Sequence, residues 1–236
     1  MVTKKFILVL FVLITSSFVF AQTIRHGGFD EEIAPWHKKA VMTCGMLRDM
    51  KTFDPQKMLN NLAELSSKLK VLQNKYADNP PQEYANDPQW KTYFEDLADN
   101  IVIVKERIEK KQYRLVQNYC GNFCRIFGRM HKNNGLTDLT DLMFSLRAEI
   151  RGAMDMYNAR NFGGAKESLP MVKNLLNKVD GKAKVFENKN FEEVYEPLKS
   201  SVTKWIEAVE KNDSKSVMEN FNLFMNIFPK TYRMTL

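Results

Sequence analysis

Three cysteines, Cys44, Cys120 and Cys124, are the residues whose type and spacing most directly suggest covalent chemistry. Cys120 and Cys124 stand one helical turn apart, which places their Cα atoms about 6 Å from each other, inside the range for a disulfide. Cys44 can equally pair with either of them, and that bridge closes a loop of about 75 residues. In an oxidising compartment, three cysteines predict one disulfide and one free thiol, with the pairing left open.

The histidines give a weaker signal for a bound metal. His26 and His37 lie eleven residues apart near the start of the chain. Together with Cys44 they contain the donor atoms that copper and zinc prefer. Their spacing matches no regular metal-binding pattern, so the sequence predicts no metal site.

Motifs of the common catalytic sites do not occur in the sequence. It contains no Glu-x-x-His pair of the kind that a di-iron bundle requires. It also contains no Gly-x-Ser-x-Gly elbow, phosphate-binding loop or His-Glu-x-x-His motif. Acidic residues such as Glu31, Glu95, Glu149 and Glu192 are therefore expected on solvated helix faces. We expect no enzymatic activity.

The first 21 residues have the form of a cleavable signal peptide. Lys4 and Lys5 precede an apolar run from Phe6 to Phe20, shorter than the roughly 20 residues that span a bilayer, and cleavage is expected after Ala21. We expect an exported chain, in the periplasm or an equivalent lumen, with no integral membrane segment. The net charge of +7 comes from interleaved acidic and basic residues, so nucleic-acid binding is not expected.

Hydrophobic periodicity predicts an all-α protein of about eight helices, arranged as two consecutive four-helix bundles. We expect a flexible N-terminal segment over residues 22–35, a first bundle over residues 36–134 and a second bundle over residues 135–236. The boundary is placed at Asn133-Asn134-Gly135, where a glycine ends the fourth helix. Thr137 is expected to cap the fifth helix.

Local signals place the other helix ends. Asp54 followed by Pro55 predicts the start of the second helix, the proline-rich residues 78–88 predict a loop, and a break is expected near residues 110–112. Pro170 and Pro197 are expected to kink the helices that contain them. The helices of the second half are expected at about residues 137–159, 162–179, 190–211 and 214–228.

The segment Tyr119-Cys120-Gly121-Asn122-Phe123-Cys124-Arg125 closes the fourth helix and resembles the end of a cytochrome c-prime-like bundle. Trp90 and Trp205, each in the third helix of its half, and a weak similarity between the halves add to the resemblance. In that family two cysteines separated by two residues anchor a haem, and the histidine that follows ligates its iron. Here three residues separate the cysteines, and Arg125, which cannot ligate iron, follows them. The resemblance therefore implies tandem bundles that lack the haem-ligating motif.

The function implied by the resemblance is that of a non-catalytic, haem-free structural or assembly protein. Such a protein binds a partner, for example an exported redox enzyme complex, and homo-oligomers are compatible with it. The overall plan of the chain also resembles an accessory subunit of nitrite oxidoreductase filaments.

Two alternatives stay open. The first is a monohaem c-type electron carrier that attaches one haem through Cys120 and Cys124 and uses Met46, Met50 or His131 as an iron ligand. The second is a helical-repeat adaptor, which residues 153–165 loosely suggest, although no period of roughly 34 residues recurs.

Overall fold

The computed structural model describes residues 27–186, 188 and 190–236. The expected signal peptide, its cleavage site and His26 lie outside these residues. Within the described part the protein is all-α, as predicted, and contains no strand. No helix in this part combines the length and the hydropathy that crossing a membrane requires.

Eight of the helices in the described part have 15 or more residues, and one has six. Their bounds are α1 Gly27–Gly45, α2 Pro55–Tyr76, α3 Trp90–Glu109, α4 Tyr113–Asn133, α5 Leu139–Asn158, α6 Phe162–Glu167, α7 Leu169–Ala183, α8 Phe191–Lys211 and α9 Ser214–Thr235. Two single-turn 3-10 helices, Met46–Arg48 and Gln82–Tyr84, lie in the loops after α1 and α2.

The first half, helices α1 to α4, closes into a ring. Each helix packs against the next, and α4 returns to α1. Contacts of this kind between successive helices are typical of an up-and-down four-helix bundle. Buried tryptophans fix two of the contacts. The indole N–H of Trp36 donates to the Leu65 carbonyl at 2.8 Å, and that of Trp90 donates to the Tyr76 carbonyl at 2.8 Å.

Helix α1 begins earlier than expected, because residues 27–35 belong to it rather than to a flexible segment. Phe29 and Ile33 are only 1% and 3% exposed, and both pack into the core of the first half. Pro35 therefore lies inside a helix and does not open one. A proline inside a helix removes one backbone hydrogen bond. Here the burial of a phenylalanine and an isoleucine offsets that loss.

The second half is compatible with a second bundle. Helices α5, α7, α8 and α9 pack in a ring, with α5 also against α9, and they enclose a separate core. The helix expected over residues 162–179 is interrupted at Ser168, which divides it into α6 and α7. Pro170 then falls in the first turn of α7, where a missing N–H removes no hydrogen bond, so the expected kink is replaced by a new helix start.

Four helices end in the same way, with a left-handed residue and a backbone hydrogen bond that reaches back five residues. The left-handed residues are Lys111, Gly135, Arg160 and Asn212, with φ angles of 55°, 72°, 62° and 53°. Gly135 was expected in this role from the sequence. The expected break at residues 110–112 is confirmed, but a lysine occupies its left-handed position.

Candidate functional site

The cysteines form one disulfide and leave one thiol, and the structure selects the pairing. Cys44 at the end of α1 is bonded to Cys120 on α4, with a Cα–Cα distance of 5.7 Å. Cys124 stays free and is 9% exposed. Its sulfur accepts a hydrogen bond from the Tyr232 hydroxyl at 3.3 Å. Burial raises the pKa of the Cys124 thiol to about 11, so the thiol is protonated and unreactive near neutral pH.

The cysteines, methionines and histidine that a monohaem electron carrier would use do not lie around one common space in the fold. The sulfur of Cys120 is bonded to Cys44, while Cys124 packs into the core of the second half. Met46 receives a weak contact from the Asn61 amide at 3.7 Å, and the Met50 side chain is half exposed. His131 lies elsewhere, in a cavity between the two halves. The described residues that line that cavity include no cysteine or methionine.

We call this space the junction cavity. It has a volume of about 110 Å³, which is enough for a few water-sized groups. Helices α1 and α4 of the first half, the α4–α5 connection and the start of α5 supply most of its polar lining. The lining residues are Asp30, Ile33, Ala34, His37, Phe127, His131, Asp138, Leu139, Thr140, Asp141, Phe186, Thr235 and Leu236.

A histidine and two carboxylates meet on one side of the junction cavity. His131 Nδ1 lies 2.6 Å from Asp141 Oδ2. Asp138 caps α5, because its Oδ1 accepts from the Asp141 backbone N–H at 2.9 Å, while Asp141 Oδ2 accepts from the Asp138 N–H at 3.2 Å. One donor atom from each of the three residues lies within 4.8 Å of the others. The three side chains therefore form one compact polar cluster.

The α4–α5 turn explains why these residues meet. The Leu136 N–H bonds back to the His131 carbonyl at 2.8 Å, and Gly135 takes the left-handed conformation that this turn needs. The chain reverses there, so the last turn of α4 faces the first turn of α5. The helix cap is Asp138 and not Thr137 as expected, because the reciprocal capping pair with Asp141 forms one residue later.

Burial and charge perturb the ionisation of this cluster. Burial disfavours the charged imidazole of His131, but the hydrogen bond and the charge of Asp141, together with Asp138 and Asp30, outweigh it and raise the pKa of His131 to about 9. Burial and the neighbouring charge of Asp141 raise the pKa of Asp138 to about 7. Near neutral pH the cluster therefore holds a protonated histidine beside Asp141.

His37 reaches the junction cavity from α1. Its side chain is 7% exposed and stacks on Phe127, with ring centroids 4.1 Å apart and planes inclined by 17°. Burial lowers the pKa of His37 to about 3, so the ring is neutral. Its Nε2 is buried and has no hydrogen-bond partner within the part of the chain that the structure describes. Such an orphaned buried polar atom is uncommon in folded proteins.

The fold brings together residues that lie apart in the sequence. The spacing of His26, His37 and Cys44 suggested a shared set of donors, but Cys44 is held in the disulfide and His37 faces the junction cavity. His131, expected only as a haem ligand, lies in that cavity too. Asp138 and Asp141 were not expected in a site, although acidic residues three positions apart before an apolar run are a recognisable helix-start signal.

The cavity presents imidazole nitrogens and carboxylate oxygens at a point where both halves of the protein meet. This combination of donors can exchange protons or coordinate a cation. Comparisons of the chain with family models, with curated proteins and with solved structures found no significant match.

Proposed function

We propose that this protein is a non-catalytic, exported assembly protein that binds a protein partner, with an exported redox enzyme complex as the partner class. The observation that supports this proposal best is that the three cysteines, the residues most capable of covalent chemistry, join helices to one another. Cys44 and Cys120 tie α1 to α4, and Cys124 joins α4 to α9 through Tyr232. A disulfide of this kind agrees with an oxidising compartment, which is where an exported chain would be found.

The two halves pack directly on each other, which supports a role as a single binding unit. Cys124 and Val41, both in the first half, contribute to the core of the second half. The Tyr232 hydroxyl on α9 also donates to the Cys124 sulfur on α4 at 3.3 Å, a hydrogen bond that crosses between the halves. A partner that contacts both halves then binds a preorganised surface, which lowers the entropy lost on association.

The monohaem alternative receives less support from the geometry. Thioether attachment needs both thiols, and Cys120 is already bonded to Cys44. Cys124 is separated from solvent by the core of the second half and by Tyr232. A cofactor attached to both cysteines would require the disulfide to be reduced and this core to be opened.

The first experiment separates the two functions. The mature chain is produced in a periplasm that carries haem-maturation machinery, and its absorption spectrum and intact mass are measured. We expect a colourless protein whose mass is lower by two hydrogens than that of the fully reduced chain. A Soret band with a mass gain of one haem would instead establish the electron carrier.

The second experiment tests partner binding in the native host. The tagged chain and a tagged subunit of the redox complex are isolated reciprocally, and the complex is rebuilt from purified components. Hydrogen–deuterium exchange of the rebuilt complex is expected to show protection on helices of both halves. Failure to form a complex from purified components, or catalytic turnover by the isolated chain, would overturn the proposal.

A further inference from the structure

The junction cavity holds more donor groups than its hydrogen bonds use. The capping pair and the histidine contact engage Oδ1 of Asp138 and Oδ2 of Asp141. Each carboxylate therefore keeps a second oxygen that these bonds leave available. A cation can bind there without breaking the cap of α5.

The spacing of the donors suits a small cation. One nitrogen of His131 and one oxygen each of Asp138 and Asp141 lie within 4.8 Å of one another. Zinc binds imidazole nitrogen and carboxylate oxygen at about 2.0–2.2 Å, so an ion among the three donors would hold them closer together than the 4.8 Å limit. The three side chains are largely buried, which limits competition from bulk water.

His37 supplies an independent observation that points into the same space. Its ring lines the junction cavity, and its Nε2 is buried and unpartnered within residues 27–186, 188 and 190–236. The stack on Phe127 holds the ring in place. A bound ion would give this nitrogen the partner that it lacks in the protein alone.

We propose that the junction cavity binds one divalent transition-metal ion, represented by Zn²⁺, through His131, Asp138 and Asp141, with His37 as the further donor. Mixed nitrogen and oxygen donors favour such ions over Mg²⁺ and Ca²⁺, which prefer oxygen ligands alone. The ligands come from α1, α4 and the start of α5, so the ion joins the two halves of the protein. This inference does not depend on the proposed partner function.

The test measures Zn²⁺ binding by tag-free mature protein after treatment with a chelator. Isothermal titration calorimetry near neutral pH gives the affinity and stoichiometry, and Co²⁺ serves as a spectroscopic probe of the donors. We expect one Zn²⁺ per chain, and Co²⁺ absorption bands typical of nitrogen and oxygen ligands.

The variants are chosen so that the fold is retained. Asp138→Asn removes the carboxylate but keeps a good helix cap, and it should weaken Zn²⁺ binding at least about tenfold. Asp213→Asn is the matched control, because Asp213 caps α9 in the same way, accepting from Ser216, but does not line the cavity. His131→Gln should weaken binding by at least as much. Circular dichroism checks that each variant is folded.

Three outcomes would overturn the proposal. The first is that wild-type protein binds no Zn²⁺. The second is that Asp138→Asn and His131→Gln bind Zn²⁺ as tightly as wild type. The third is that Mg²⁺ and Ca²⁺ bind the cavity as tightly as Zn²⁺, which would remove the role of the nitrogen donors. Should His131→Gln fail to fold, Asp138→Asn and its control carry the test alone.

Discussion

Removal of the Cys44–Cys120 disulfide is expected to destabilise the first half strongly. The two cysteines are separated by 76 residues, so the bond encloses the whole of α2 and α3 in a covalent loop. The loss of loop-closure entropy for a loop of this length corresponds to about 4 kcal/mol at 25 °C. Both side chains are only partly buried, so substitution by alanine adds little lost packing. Cys44→Ala with Cys120→Ala should therefore lower the free energy of unfolding by about 4 kcal/mol.

Chemical denaturation measures this effect, and the tryptophans locate it. Trp36 and Trp90 are buried in the first half, and Trp205 is buried in the second. In a Trp205→Phe background, fluorescence reports the first half alone, while circular dichroism reports both. We expect the fluorescence midpoint to fall in the double variant. The wild-type midpoint should fall by a similar amount when a reductant is added, and the double variant should be insensitive to the reductant.

Cys124→Ala is the control, because it keeps the disulfide and alters only a buried thiol in the core of the second half. The first-half fluorescence midpoint of this variant should still fall when a reductant is added, as it does in wild type. The reasoning is refuted if reductant leaves the wild-type midpoint unchanged. Peptide mapping that finds Cys124 in the bridge would refute it as well.

Three further predictions concern local interactions. In metal-free protein, the pKa of His131 is raised from 6.5 to about 9 in the folded state. Its pairing with Asp141 therefore adds about 3 kcal/mol of stability below pH 6.5, and this stability is lost as the pH rises through about 9. Thermal unfolding across this range should show the loss in wild type and not in His131→Gln. Gly164→Ala should lower the free energy of unfolding by about 1 kcal/mol, because a Cβ there meets the Asn161 amide at 2.6 Å and displaces the cap of α6. At Gly163 a Cβ has space, so Gly163→Ala should be neutral or slightly stabilising when both variants are measured by chemical denaturation. Lys111→Gly should raise the free energy of unfolding by about 1 kcal/mol in that assay, since glycine adopts the φ of 55° without steric cost.

Each of these predictions has a contradicting result. A pH profile of stability that is the same in wild type and His131→Gln would show that the Asp141 pairing does not shift the ionisation. Equal effects of Gly163→Ala and Gly164→Ala would contradict the contact with Asn161. A destabilised Lys111→Gly variant would mean that the lysine side chain stabilises the turn.

Helix boundaries set by neighbouring residues were predictable. Asp54 accepts from the Lys57 N–H at 3.0 Å with Pro55 following it, and Gly135 ends α4, as expected. Boundaries set by burial were not predictable. Pro35 by itself predicts a helix start, but the packing of Phe29 and Ile33 extends α1 in front of it. A rule based on neighbouring residues contains no information about which side chains become buried by helices that are distant in the sequence.

The candidate site was only partly predictable from the sequence, because local patterns do not show which distant helices pack together. The capping pair of Asp138 and Asp141 is a local pattern, and the turn at Gly135 brings His131 to it within a few residues. His37 is different, because it reaches the cluster only when α1 packs beside α4. Nothing in the spacing of His37 and His131 along the chain indicates that they share a cavity.

The sequence by itself determined that the chain is helical and that three cysteines give one disulfide and one thiol. These properties follow from hydrophobic periodicity and from parity, which need no knowledge of packing. Only the tertiary structure decided that Cys44 pairs with Cys120, that Cys124 lies against Tyr232 and that the polar residues converge between the halves. Those outcomes depend on which helix faces meet, and the meeting of faces is set by the burial of apolar side chains over the whole chain.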